Sequence, residues 1–138
     1  MAIRYSQGVA HAMLDGGLRA RMQGGTLQLR SGSAPSNASD AATGTLLCSV
    51  PVGAFNVPSG GEMTVSGPWT GIAVEDGTVG WARMVAGAAV IDFTSVTGPG
   101  AGGDIEISNN ISEIDDTQLY ADGSVNIVAG SLSVPGTS

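Results

Sequence analysis

Along most of the chain, apolar residues recur at every second position. Leu27 and Leu29 alternate with Gln28 and Arg30, and Ile105 and Ile107 alternate with Asp104, Glu106 and Ser108, the period of a strand with one buried face. The same reading predicts strands over Thr45–Val52, Glu62–Ser66, Thr70–Glu75, Thr78–Val85, Ala88–Thr94, Gln118–Tyr120, Ser124–Val128 and Leu132–Val134. Between them lie a polar loop, Ser31–Thr43, a Pro/Gly connection, Phe55–Gly61, and a glycine loop, Gly98–Gly103. Asp76-Gly77 and Asp122-Gly123 carry the dipeptide signal of tight hairpin turns. Strands this short and this regularly spaced predict an all-β fold of about nine strands, a sandwich or a barrel.

One stretch departs from period two. Ser6 is a good helix cap, Val9, Ala10, Met13 and Leu14 share one helical face, and Gly16-Gly17 supplies a stop, so a short N-terminal helix is expected over Ser6–Leu18. The expected organisation is an N-terminal arm and helix over residues 1–25, followed by a single β-sandwich domain over residues 26–138.

Charge changes the picture. Only 12% of the 138 residues are charged, about half the usual share, and the net charge is −7. All five basic residues are Arg. Without a basic cluster there is nothing to release counterions from a nucleic acid, so that partner class is not expected. Without Lys, P-loop and Schiff-base chemistry are excluded. No apolar run approaches the ~18 residues of a spanning helix, and no membrane partner is expected. The first residues lack the apolar stretch of a secretory signal, so synthesis in a reducing cytoplasm is expected. Cys48 is alone and reads as a small buried hydrophobe. A surface this poor in charge and free of Lys fits a component of an assembly, because Lys is depleted where proteins bury one another.

Candidate chemistry is sparse. His11 is the single His, beside Asp15 one helical turn on, and reads as an exposed pair rather than a general base. Gly98-Pro99-Gly100-Ala101-Gly102-Gly103 has the spacing of a dinucleotide fingerprint, but a strand-like segment follows where a helix must carry the pyrophosphate. Glu106, Glu113, Asp115 and Asp116 could be paired for glycoside hydrolysis, or with Asp104 and Asp122 could offer oxygens to Ca²⁺; neither pattern has the spacing such sites need. No catalytic residue, metal or cofactor is expected. Asn37 and Asn110 head glycosylation sequons that matter only in a eukaryotic secretory route. The segment most suited to contact is the arm: Arg4, Tyr5, Met13, Leu14, Arg19, Arg21 and Met22 gather cationic and apolar side chains and form the candidate protein interface.

Three stretches share a further resemblance. Gly24-Gly25-Thr26-Leu27-Gln28-Leu29-Arg30-Ser31-Gly32-Ser33-Ala34-Pro35 with Thr43-Gly44-Thr45-Leu46-Leu47, then Gly77-Thr78-Val79-Gly80-Trp81-Ala82-Arg83, then Asp122-Gly123-Ser124-Val125, resemble small virion proteins of tailed bacteriophages. The resemblance implies a capsid cement (decoration) protein, and with it a jelly-roll-like antiparallel β-sandwich of about eight or nine short strands. Such a protein is non-enzymatic and sits on the outer surface of an HK97-like shell. Its partners would be the major capsid protein and itself, a homodimer before a trimer. Another virion component, of the tail, baseplate or a fibre, and a host-glycan-binding module are the alternatives.

Overall fold

The computed structural model describes residues 24–37, 40–56, 62–66, 69–87, 89–111 and 115–133. The expected helix over Ser6–Leu18, His11 and all seven arm residues named above lie outside them. The described chain is all-β: β1 (Thr26–Arg30), β2 (Leu46–Pro51), β3 (Glu62–Thr64), β4 (Trp69–Ala73), β5 (Gly77–Thr78), β6 (Trp81–Ala86), β7 (Ala89–Phe93), β8 (Val96–Thr97), β9 (Ile105–Ser108), β10 (Gln118–Leu119) and β11 (Ser124–Ser133).

Nine strands form one sheet in the order β7-β6-β1-β2-β4-β11-β9-β8, with β3 joined to the far half of β11. Its pairings are antiparallel except β8 with β9. The two strands at the ends of this order, β7 and β8, are neighbours in sequence, separated only by Thr94 and Ser95. Two residues span at most about 10 Å between strand ends, so the sheet must curl until its edges nearly meet. The result is close to a barrel.

Curling gives the sheet an inside. Register places Phe93, Ala82, Leu29, Cys48 and Ala73 opposite one another along successive strands, and Ile91, Met84, Leu27 and Val50 in the next row. Ile127 faces both Trp69 and Ile107, and Ile105 faces Val96. Apart from Ile91, these side chains are buried, and with Ile91 packed against them they meet in one cluster. The ends are closed by different residues. At one, the rings of Phe55 and Trp69 meet edge to face at 5.1 Å, and the indole N–H of Trp69 donates to the carbonyl of Ala54 at 3.1 Å. At the other, β5 pairs with β10, and Val79 and Leu119 join Leu47 in the core. A β-bulge between Leu29 and Arg30 leaves Leu47 as an extra residue on β2, and Leu47 and Cys48 are both buried across it.

Several expectations are corrected. Neither Asp-Gly dipeptide closes a hairpin. Both sides of β4 are taken by β2 and β11, and β5 pairs with β10 instead, so Asp76-Gly77 is a crossing between sheets. Asp122, at φ 71°, does form a tight turn, with Gly123 N–H donating to Tyr120 at 2.9 Å, but it joins β10 to a strand it does not pair with. The hairpin β6–β7 has Gly87 at the positive φ (61°) that tight turns demand. The stretch Thr78–Val85 is two strands: Val79 N–H bonds Thr117, Gly80 N–H bonds Arg30, and the chain changes partner between them. Conversely, Ser124–Val128 and Leu132–Val134 belong largely to one long strand, β11.

A Cβ at Gly80 would lie 1.9 Å from the carbonyl oxygen of Gly32. Gly80→Ala is therefore expected to lower stability by about 1–3 kcal/mol in denaturant titration. Burial pushes the Cys48 thiol up from 9.0 to about 11. The native state thus keeps a proton that the unfolded chain loses, so this contribution is intact below pH 9 and is lost as pH rises toward 11, by about 2–3 kcal/mol. In Cys48→Ala that decline should vanish, and native Cys48 should resist thiol reagents until the protein unfolds.

Candidate protein-interaction face

The outer side of the sheet divides into two regions. Over β1, β6 and β7 it is closed, with Trp81 fully buried and an ion pair at its centre. Arg83 projects from β6 toward Asp92 of β7, its partner in register, and the two form a bidentate pair at 2.7 and 3.0 Å with both side chains about nine-tenths buried. Its remaining guanidinium nitrogen donates to the carbonyl of Asp40 at 2.8 Å, tying the Ser31–Thr43 loop down. Hydrogen bonding to Asp92, against the cost of burial, holds Arg83 protonated beyond its ordinary range. The guanidinium also lies 5.3 Å from the ring centre of Trp81, whose buried indole N–H has no partner among the described residues.

Over β2, β4, β11 and β9 the outer side is different. Register aligns Ser49, Ile72 and Ser124 in one row, and Thr70, Asn126 and Ser108 in the next. These two rows carry no charge. Three of these side chains are linked through Asn110: Thr70 Oγ1 donates to Asn126 Oδ1 at 3.0 Å, Asn126 Nδ2 to Asn110 Oδ1 at 3.2 Å, and Asn110 Nδ2 to Ser124 Oγ at 3.1 Å. Among this ladder stand apolar side chains in water: Ile72 is 53% exposed, with Ile111 and Val128 also exposed. Val128 sits where β11 bulges against β9, beside a shallow groove of about 220 Å³. An uncharged surface with hydrogen bonds already made among its side chains loses little on desolvation, and so suits contact with another protein.

Of the acidic residues considered for chemistry, Glu113 lies outside the described residues, and Glu106, Asp115 and Asp116 have hydrogen-bonded tasks within the fold. Glu106 turns its carboxylate into the Gly98–Gly103 loop and accepts from the N–H of Gly100 at 2.8 Å and of Gly102 at 3.3 Å. The amides that resemble a phosphate cradle thus hold a carboxylate of the same chain. Asp115 accepts from the backbone and hydroxyl of Thr117, bonds that hold its carboxyl below the usual range. Asp116 accepts from Ser108 and from the N–H of Asn109. Asn109 itself is buried and ties this loop together, donating to the carbonyls of Asp115 and Gln118. Asp122 and Asp104 lie apart, in the turn before β11 and the approach to β9. Among the described residues no group of three His, Cys, Asp or Glu is placed to hold a metal ion. At the Asn110 sequon, both side-chain polar atoms are engaged in the ladder.

The contact expected at the arm lies outside the described residues, and this face is one the sequence reading did not single out. The available signal was Thr70-Gly71-Ile72-Ala73-Val74, where the outward positions Ile72 and Val74 are as apolar as the inward ones.

Comparison of the chain with protein-family models, with curated proteins and with solved structures returns no match in any of the three.

Arg83→Met leaves Asp92 buried without its cation and should destabilise the fold by about 3–5 kcal/mol in thermal or chemical unfolding. Arg83→Met with Asp92→Leu should recover most of that loss.

Proposed function

We propose that the protein is a non-enzymatic virion component of a tailed bacteriophage: a cement protein bound to the outer surface of an HK97-like capsid. It stabilises the shell through oligomeric contacts with the major capsid subunits, after synthesis in the host cytoplasm. The opposed walls of the curled sheet, β7-β6-β1-β2 and β4-β11-β9-β8, are read here as the layers of a jelly-roll-like sandwich. The observation that carries the proposal is the pair of uncharged rows that cross the outer side of β2, β4, β11 and the end of β9, with Ile72, Ile111 and Val128 exposed around a polar ladder and Glu106 turned away into the Gly98–Gly103 loop. The phage-like motifs of the sequence give that face its proposed partner.

Cementing is binding linkage. A protein that binds only the assembled, expanded lattice lowers its free energy relative to released subunits. Several modest contacts from one oligomer act together through effective concentration. The glycan-binding alternative is less favoured, because sugar recognition draws on exposed aromatic rings. Trp69, Trp81, Phe55 and Phe93 are all buried, which leaves Tyr120 as the exposed aromatic among the described residues. A tail or baseplate location would use the same face, and labelled negative-stain images of intact particles separate the two by position.

The protein should co-sediment with empty expanded shells at micromolar concentration. Ile72→Asp should weaken that binding at least about tenfold while leaving thermal unfolding unchanged. Absence of binding by the unaltered protein would overturn the proposal.

A further inference from the structure

We draw no further inference here: the strongest candidate, the shallow groove where β3, β9 and β11 meet, lined by Val65, Asp104, Glu106 and Val128, adjoins the face already described, and nothing in the structure shows what covers it.

Discussion

The architecture depends on one short tether. Thr94 and Ser95 connect the two strands that stand at opposite ends of the hydrogen-bonded order, and so forbid the sheet from lying open. Everything else follows from that closure. One face becomes an interior, the Leu, Ile and Val of successive strands line up there in register, and a chain with few aromatic residues still buries a continuous core. The open ends then need stoppers, which Phe55 with Trp69 and Leu119 with Val79 supply. The seam itself is a covalent join rather than a complete ladder, which spares the fold two widely separated exposed edges.

With the apolar residues largely spent on the inside, the outside is differentiated by polar chemistry. On one side a buried ion pair, Arg83–Asp92, fixes β6 to β7 and pins a long loop. On the other, Thr70, Asn126, Asn110 and Ser124 are linked by hydrogen bonds and leave a neutral surface. The first region is committed to holding the fold. The second has no internal task, and its exposed Ile72 and Val128 are unexplained by stability. That contrast between a committed and an uncommitted surface is the basis for reading the neutral side as a place of contact.

Much of the fold was legible in the chain because strand periodicity is local. Leu27/Leu29 and Ile105/Ile107 alternate as their burial does, and Cys48 is the buried small side chain its neighbours suggested. What was not legible was pairing. The Asp-Gly dipeptides describe turns correctly at Asp122 but cannot say which strands the turn will join, since that is set by distant partners competing for each edge. β8 escaped notice because two residues carry no period, and its parallel partner is β9 across a glycine loop. Gly80 looked like the middle of a strand because the change of partner there comes from Gly32 and Thr117, far away in sequence. The candidate face was hidden for a related reason: Ile72 reads as core until the register shows that Trp69, Gly71 and Ala73 already fill the inside.

The placement of the first and last described strands has a mechanical corollary. β1 lies between β6 and β2, and β11 lies between β4 and β9, so neither is peripheral. Tension transmitted along the chain from either side would have to slide a strand past two neighbours at once, loading many backbone hydrogen bonds in shear, rather than unzip them singly from a rim.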